Sequence, residues 1–343
     1  MRAVFYATIA APLSAGWYDP RILDSNFFIR PTSLKGLWRW WARAFAAGAL
    51  YEAGCVGNFL ERVHAVVADG LGLGSTGRAS SYTISVEVLD PPKVDACRAD
   101  LQRFKLLALG RRGEKEPALK CAVGGEFRIT VEGDHKAFAA ATSILAVALT
   151  LSGLGKGGRK ALGSLDVVGA EESAPRGQLH ELIERARRYL AVERCGAPPQ
   201  LPPISAVAKE VFEVYRVNAG YQQLHNLFLR PERSSLFGGN YRAPDPLGGY
   251  AWFLGLPRSQ RGTGYIADVG RRASAVFAAW HSNRHIYGGG GYVSVFLSAD
   301  WPPKVVWVRK GGRKEIAIDA KALQAARRAF LGLLGRFSPQ RVW

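Results

Sequence analysis

Long apolar runs, methionine and an N-terminal export signal are scarce or missing in this sequence. The longest apolar segment, residues 137–151, is too short to cross a bilayer and contains two threonines and a serine. Met1 and Arg2 run directly into an alternating segment rather than a signal peptide, so we expect no membrane partner and a cytoplasmic location. Met1 is the only methionine, and its rarity beside plentiful arginine indicates a thermophile.

Cysteine is sparse, and its spacing argues against a zinc site. The four cysteines form no C-x-x-C pair and are scattered along the chain as Cys55, Cys97, Cys121 and Cys195. Structural zinc sites need clustered thiolate or imidazole ligands, so we expect no metal at these positions. We predict buried thiols, with disulfides as the alternative if the source is a hyperthermophile.

Motifs that carry catalysis are equally rare. Among the six histidines, only His281 and His285 have i,i+4 spacing, and no glutamate follows the first as in H-E-x-x-H. No G-x-S-x-G nucleophile motif occurs. Asp19 and Asp24 are more typical of turns than of a general base or a metal pair. The residues therefore offer no recognisable catalytic constellation and no metal site.

Positive charge, in contrast, is abundant. The 46 lysines and arginines outnumber the 28 acidic residues and give the chain a formal net charge of +18. Such an excess is typical of proteins that bind nucleic acid or an anionic membrane surface. Because no segment is apolar enough to span a membrane, nucleic acid is the favoured partner. The 343 residues, 48% of them hydrophobic, are enough for two folded domains.

Residues 30–45 predict a helix with two distinct faces. Lys35, Arg39 and Arg43 follow each other at i, i+4 and i+8, and so form one basic stripe. The opposite face is apolar and carries Leu34, Leu37, Trp38, Trp41 and Phe45. No acid interrupts the basic stripe before Glu52, which favours a polyanion as its partner. A solvated surface face is the alternative.

The start of this helix carries a further cation. Pro31 lies just ahead of the helix, and Thr32 or Ser33 is predicted to cap its free backbone N–H groups. Arg30, directly before the proline, joins the three stripe residues as a candidate RNA-binding residue.

A glycine-rich run at residues 152–164 is the second signal. Gly153, Gly155 and Gly158 match G-x-G-x-x-G, but the run follows a helix and precedes a strand, the reverse of the Rossmann order, and it is no P-loop either. We interpret it as a flexible loop whose glycines let the backbone approach a phosphate while its cations neutralise the charge. A plain connector is the alternative. The candidate RNA-binding residues here are Gly155, Lys156, Gly157, Gly158, Arg159 and Lys160.

A third basic cluster lies in the second half of the chain. It spans residues 255–262 and 270–274 and contains Arg258, Arg261, Arg271 and Arg272. We add these arginines to the candidate RNA-binding residues, with a solvated surface loop as the alternative. Trp17, Tyr18 and Trp40 are candidates for stacking on unpaired bases, although large aromatic residues more often lie in a core.

The strand and helix patterns of the first half occur in the order β-α-β-β-α-β. The strand patterns occupy residues 2–10, 81–89, 125–132 and 165–168, and the helix patterns occupy residues 30–45 and 134–151. A further helical segment is predicted at residues 94–109. The order predicts an α+β fold of ferredoxin-like, RRM-like type, with a mostly antiparallel sheet and the helices on one face.

The chain is predicted to continue with a linker and a second unit. A helix at residues 180–193 leads into a proline-rich linker at 195–205. Further strand patterns lie at residues 207–217, 288–297 and 304–309, and a terminal helix at 320–337 begins with Asp319 as its cap. We therefore divide the chain into a first domain, residues 1–175, a helix and linker, residues 176–205, and a second ferredoxin-like domain, residues 206–343.

Three of these features together resemble the RAMP superfamily of CRISPR proteins and, more narrowly, the first-numbered RNA-binding subunit of the Cmr (type III-B) effector complex. The elements that carry the resemblance are residues 29–43, the glycine-rich loop at 153–164, and residues 254–258 with 271–274. The resemblance implies two tandem ferredoxin-like domains, no cofactor, and partners that comprise guide RNA, target RNA and other Cmr subunits. It also implies that the three stripe residues and the loop cations face RNA.

Three functions compete at this point. The first is a non-catalytic RNA-binding subunit of an RNA-guided antiviral complex. The second is a metal-independent RAMP endoribonuclease that processes guide RNA, although such enzymes usually carry their glycine-rich loop near the C-terminus and a catalytic histidine early in the chain. The third is a nucleic-acid-binding protein that acts alone. The mid-chain position of the glycine-rich loop favours the first.

Overall fold

The computed structural model describes the chain from Met1 to Trp343 except residues 17–21, 98–100, 102–118, 229–248, 257, 261–262, 269–270, 284–289 and 310–311. In the described part, the helices are α1 (Pro31–Glu52), α2 (Phe59–Ala65), α3 (Phe138–Leu151), α4 (Leu179–Leu190), α5 (Tyr221–Leu227) and α6 (Ala320–Leu334). No helix of the described residues is both long and apolar enough to pass through a bilayer.

The strands of the described part form three sheets. Those of the first half are β1 (Arg2–Leu13), β2 (Tyr82–Asp90), β3 (Lys93–Ala96), β4 (Lys120–Gly133) and β5 (Leu165–Glu172). Those of the second half are β6 (Phe212–Val217), β7 (Arg258–Gln260), β8 (Thr263–Ile266), β9 (Val276–His281), β10 (Gly290–Phe296), β11 (Lys304–Arg309), β12 (Gly312–Ala317) and β13 (Gln340–Arg341).

The first sheet has the strand order β2-β4-β1-β5, and β3 pairs with the end of β4. Every pairing in it is antiparallel. Helix α1 connects β1 to the second strand, and α3 connects β4 to β5, which gives the predicted β-α-β-β-α-β succession. The expectation of an α+β fold with antiparallel sheets is therefore confirmed.

The second sheet has the order β13-β6-β10-β9, again with antiparallel pairings. Helix α5 lies between β6 and β9 in the chain, and α6 lies between β10 and β13, so the succession of the first sheet recurs without any visible sequence repeat. A third, smaller antiparallel sheet, β12-β11-β8-β7, is inserted into this second unit. The predicted domain boundaries stay predictions, because both units share one hydrophobic core.

Helix α1 lies at the centre of that shared core. Trp38 and Trp41 are fully buried, as the apolar stripe predicted. The indole N–H of Trp38 donates to the Ala141 carbonyl (2.7 Å), and that of Trp41 donates to the Ser152 hydroxyl (2.9 Å). Both polar atoms are therefore satisfied where burial would otherwise be costly. The ring of Trp41 also packs against three phenylalanines of the second unit, Phe212, Phe277 and Phe296.

The helix starts differ in part from the prediction. Helix α1 begins at Pro31, Arg30 is its N-cap, and no side chain caps it. Thr32 and Ser33 are therefore not caps, because proline, whose missing N–H needs no partner, already occupies the first helical position. The cap of α6 is as predicted, since the Asp319 carboxylate accepts the Ala322 N–H at 2.7 Å.

Two further predictions from the first half are wrong in part. The segment expected to be helical at residues 94–109 begins as strand β3, which pairs with β4, and its residues 98–100 and 102–109 lie outside the described part. The cysteines are not buried thiols, because the structure pairs Cys55 with Cys195 and Cys97 with Cys121. Because the partners lie 140 and 24 positions apart, no local spacing revealed the pairs.

Candidate nucleic-acid interface

The glycine-rich loop between α3 and β5 is folded back on itself. The N–H of Gly153 donates to the Gly158 carbonyl at 2.6 Å, and the N–H of Leu154 donates to the Gly163 carbonyl at 2.9 Å. The loop is also fixed to the end of β1, because Lys156 donates its N–H to Ser14 at 2.9 Å. These bonds close the loop on itself and attach it to β1, while its flexibility stays a prediction.

The glycines of this loop are required by its own backbone. A Cβ on Gly158 would overlap the Gly153 carbonyl, and a Cβ on Gly155 would lie 2.6 Å from the Ser14 oxygen. Gly155 and Gly157 also have positive φ angles of 67° and 81°, which other residues rarely adopt. The close packing of the loop therefore accounts for its glycines without a phosphate.

The same loop joins the two units through β9. The N–H of Ala278 donates to the Arg159 carbonyl (3.0 Å), and the N–H of Ala161 donates to the Ala278 carbonyl (2.7 Å). Lys160 thereby forms a short parallel bridge with Ala278 at the edge of the second sheet. We call this contact between the glycine-rich loop and β9 the seam.

Arg159 is the residue that the seam positions. Its guanidinium carbon lies 5.2 Å from the ring centroid of Trp40 and 4.7 Å from that of Phe277. Its side chain makes no hydrogen bond or ion pair with any residue in the described part of the chain. Burial, together with the nearby Arg272, holds the pKa of this guanidinium below its ordinary value. Arg159 thus carries a charge for which the described part of the chain supplies no anion.

A cavity of about 320 Å³ opens beside Arg159 and gathers cations from three parts of the chain. Its lining includes Trp40, Arg43, Arg159, Arg272, Phe277 and Asp300. We call this cavity the arginine pocket. It brings together one member of each predicted basic cluster, since the three arginines come from α1, the glycine-rich loop and the segment before β9. Three cations against one carboxylate leave the pocket with a positive charge.

Arg272 is held in place by its own partners. It donates to the Asp300 carboxylate at 2.7 Å and to the Ala273 carbonyl at 2.7 Å. Its guanidinium carbon also lies 4.5 Å from the ring centroid of Trp301. The same carboxylate oxygen of Asp300 accepts the Ser298 hydroxyl at 2.6 Å. One oxygen of Asp300, Oδ1, therefore serves both Arg272 and Ser298.

The basic stripe of α1 divides into two parts. Arg39 donates from Nε and Nη2 to the Leu73 carbonyl, at 3.0 and 2.7 Å. Lys35 lies 3.5 Å from the Tyr82 carbonyl, and burial together with Arg39 lowers its pKa. Arg39 thus ties the helix to the segment before β2, and Lys35 lies close to the first residue of β2. Arg43 is exposed and makes no hydrogen bond or ion pair with the described residues. Of the three stripe residues, only Arg43 lines the arginine pocket.

Arg30 is occupied elsewhere. Its Nε pairs with the buried carboxylate of Asp24, and its Nη2 donates to the Gly16 carbonyl at 2.7 Å. The other oxygen of Asp24 accepts the N–H groups of Asn26 and Phe27. Asp24 therefore organises a turn. In the described part of the chain, no group of three or more potential ligands is placed to hold a metal.

The structure describes only some of the remaining candidate RNA-binding residues. The Lys160 ammonium lies 5.7 Å from the ring of Phe228, and Arg271 is exposed beside Arg272. Three predicted residues lie outside the described part, namely Arg261, Trp17 and Tyr18, and so does the side chain of Arg258. The Trp40 ring is half-buried and packs 4.7 Å from Phe277, so it forms a wall of the pocket rather than an open platform for a base.

No sequence motif indicates the buried pair that Asp166 and His281 form. His281 lies on β9, not on a helix, and its Nδ1 lies 2.8 Å from an Asp166 carboxylate oxygen, while its Nε2 lies 2.8 Å from the Thr150 carbonyl. Burial acts to raise the pKa of Asp166, but hydrogen bonds from His281 and Ser282 outweigh it and hold that pKa below its usual value. The two residues are 115 positions apart, so no motif indicated the pair.

Comparisons with known proteins agree with this architecture. Residues 18–166 match the model of the RAMP superfamily. The structure of apo Cmr1 from Pyrococcus furiosus is similar, with a TM-score of 0.58 and 19% sequence identity over 100% of this chain and 99% of that one. A chain in the type III-B Cmr-beta complex bound to cognate target RNA gives a TM-score of 0.54 at 12% identity, covering 97% and 99%.

A search of curated proteins found no match. The two solved structures share less than 25% identity with this chain, so they establish its fold and not its activity. Residues 18–166 thus share the pattern of the RAMP superfamily, and the fold along the whole length is similar to that of Cmr1.

Proposed function

We propose that this chain is a non-catalytic, RNA-binding subunit of a type III-B CRISPR effector complex. The observation that carries the proposal is the arginine pocket, where Arg43, Arg159 and Arg272 converge from three distant segments. Guanidinium groups bind phosphate through paired N–H donors, and RNA presents a phosphate at every nucleotide. Guide RNA, target RNA and neighbouring Cmr subunits are the proposed partners.

The electrostatics support RNA over other polyanions of lower charge density. The net charge of +18 attracts an RNA backbone over its whole length, and the pocket adds a local concentration of cations at the seam. Contacts of this kind fix the position of a strand without reading its bases. The proposed subunit therefore binds RNA with little sequence preference, and base pairing within the complex supplies the specificity.

A catalytic function is less well supported. Among the described residues, no histidine lines the arginine pocket. His225 and His281 are both fully buried, with their Nδ1 atoms 3.0 Å from the Lys160 carbonyl and 2.8 Å from Asp166. A side chain held in this way is poorly placed to take a proton from a 2′-hydroxyl group.

Two experiments test the proposal. The chain, expressed in its native host with an affinity tag, is expected to co-purify with a guide RNA and other Cmr subunits, and a chain that purifies alone would contradict the assignment to a complex. The purified chain is expected to leave repeat RNA intact without metal. Specific cleavage that a single histidine substitution abolishes would establish the endoribonuclease function instead.

A further inference from the structure

Strand β2 ends the first sheet on one side. It pairs with β4, and no other strand in the described part of the chain pairs with it. The register is regular from Tyr82 to Val88, and we call the outer side of this stretch the β2 edge. We propose that the β2 edge binds an extended, basic segment of another protein, which adds to the sheet as a further strand. If that protein is a neighbouring Cmr subunit, this identity rests on the proposed function.

The first argument is the state of the backbone along the β2 edge. The N–H of Tyr82 donates to the Ser80 hydroxyl at 3.2 Å, and its carbonyl lies near Lys35. Beyond Tyr82, no described residue outside β4 bonds to the backbone of β2. In an antiparallel pair, every second residue of a strand directs its N–H and C=O groups away from the partner. A segment that lies alongside would bond to these groups, as in β-strand addition.

The second argument is that the β2 edge has little protection against such pairing. Natural edge strands are commonly protected by proline, lysine, bulges or inward-pointing charges. The regular stretch contains no proline or lysine, and its one charged residue, Glu87, is exposed and pairs with Arg128. The bulge at Leu89 and the prolines Pro91 and Pro92 come after the stretch. The edge is therefore accessible over roughly 23 Å of strand.

The third argument is an apolar row that the β2 edge leaves half-covered. Ile84, Val86 and Val88 pack against the core but are only half-buried, whereas the β4 residues paired with them are fully buried. A further strand on this side would cover the three side chains, and its own alternate residues would continue the row. Removal of this apolar surface from water would favour the addition. The segment is therefore expected to carry apolar residues at alternate positions.

The fourth argument is charge, which indicates the chemistry of the partner. Asp90 and Glu126 lie opposite each other at the end of β2, both are exposed, and neither pairs with a cation among the described residues. Like charges in opposite positions repel each other. A lysine or arginine of the added segment would relieve this repulsion, whereas the phosphates of RNA would increase it. A second copy of the chain would bring its own Glu87 and Asp90 to the edge, so a basic segment of another protein fits better.

The test is fluorescence anisotropy of a labelled seven-residue peptide, in which valine alternates with lysine, titrated with the purified chain. We expect saturable binding of this peptide. We expect none when glutamate replaces lysine, or when alternate amides are N-methylated and cannot donate along the edge. Hydrogen exchange of the β2 amides is expected to slow in the presence of the peptide, while that of the β5 amides stays unchanged.

Val86→Lys and Asp90→Lys are each expected to weaken the binding of the peptide about tenfold or more. The first places an inward-pointing charge on the edge, and the second replaces an attraction with a repulsion. Val168→Lys and Glu193→Lys are the matched controls, because Val168 is exposed on the opposite edge strand, β5, and Glu193 is exposed after α4. Asp90→Lys keeps the test valid if Val86→Lys fails to fold, since the Asp90 side chain is exposed.

No saturable binding of the lysine peptide, or equal effects of the test and control variants, would overturn this inference. Protection of the β2 amides by single-stranded RNA, or a dimer of the chain that Val86→Lys abolishes, would reveal another occupant and overturn it as well. Co-purification with Cmr subunits tests the proposed function separately. Peptide binding by a chain that purifies alone would support the inference and contradict the proposed function, and co-purification without peptide binding would do the reverse.

Discussion

The guanidinium of Arg159 lies 4.7 Å from the ring centroid of Phe277, so a cation from the loop of the first unit rests on an aromatic ring of the second. Trp40 of α1 packs against the same phenylalanine at 4.7 Å. The proposed binding site is thus built from both units, and its geometry depends on the packing of α1 between them. Changes in that packing are expected to alter stability first and RNA binding as a consequence.

Trp41→Ala is expected to destabilise the protein by about 3–5 kcal/mol, because it removes a fully buried indole from the core that the two units share. It also deprives the Ser152 hydroxyl of its donor. Urea unfolding followed by tryptophan fluorescence measures the change. Leu60→Ala is the control, since Leu60 is 63% exposed and its truncation is expected to stay within about 0.5 kcal/mol. Equal effects of the two variants would show that α1 does not anchor the core.

Substitutions of Arg39 and Arg43 are expected to change different properties. The first should lower stability, and the second should lower RNA affinity. Arg39→Gln removes two donors from the buried Leu73 carbonyl and is expected to cost about 1–3 kcal/mol of stability. Arg43→Gln removes no bond within the described part of the chain, so its stability is expected to be unchanged while its affinity for RNA falls. Thermal unfolding and RNA titration of both variants check the pair. Equal effects of the two substitutions on stability and on RNA affinity would contradict this division.

Asp166→Asn tests the buried pair with His281. Because the folded-state pKa of Asp166 is lowered, its ionised form stabilises the fold above the unfolded-state value of about 3.9, and this contribution is lost as the pH falls through the folded-state value. The variant is expected to be about 3–5 kcal/mol less stable at pH 7, since one partner of a buried pair is removed.

The pH dependence of the stability difference between the wild type and Asp166→Asn shows whether charge or packing causes the loss. Urea unfolding of the wild type and the variant from pH 7 to below pH 4 is expected to show a difference that narrows in acid, where the wild-type carboxylate also becomes neutral. Glu315→Gln serves as a control, because its pair with Lys304 is exposed. A stability difference that is the same at every pH would mean that packing, not charge, explains the effect of Asp166→Asn.

The two disulfides are expected to differ in their contribution to stability. Cys55–Cys195 closes a loop of 140 positions and Cys97–Cys121 one of 24, so loop-closure entropy predicts about 1.5 kcal/mol more from the first. Cys195→Ala and Cys97→Ala, unfolded in urea without reductant, provide the comparison. A larger loss from Cys97→Ala would contradict the entropic account.

Much of the first unit was predictable from sequence because its determinants are local. The alternation of β1 and the period of α1 gave the succession of strands and helices, and the apolar stripe identified Trp38 and Trp41 as core residues. Asp319 was recognisable as a cap because a cap acts within one helical turn. The glycine-rich loop was found by composition, but its packing against Ser14 and within the loop, which also requires the glycines, was not predictable from local sequence.

The features that could not be predicted from the sequence depend on contacts between distant segments. Arg43, Arg159 and Arg272 each belonged to a predicted cluster, but nothing local indicated that they would line one cavity. The same holds for Asp166 with His281 and for the disulfide between Cys55 and Cys195, whose partners lie more than 100 positions apart. Local patterns also could not separate Arg39, which bonds to the backbone, from Arg43, which faces the pocket.

The most direct test of the central claim is the affinity of the wild type, Arg43→Glu and Lys136→Glu for an unstructured single-stranded RNA, measured by fluorescence anisotropy between about 50 and 200 mM salt. Both variants change the net charge equally. Arg43→Glu is expected to bind about tenfold or more weakly, with a salt dependence shallower by about one phosphate contact, while Lys136→Glu stays close to the wild type. Equal affinities of Arg43→Glu and Lys136→Glu would contradict the arginine pocket as the RNA-binding site.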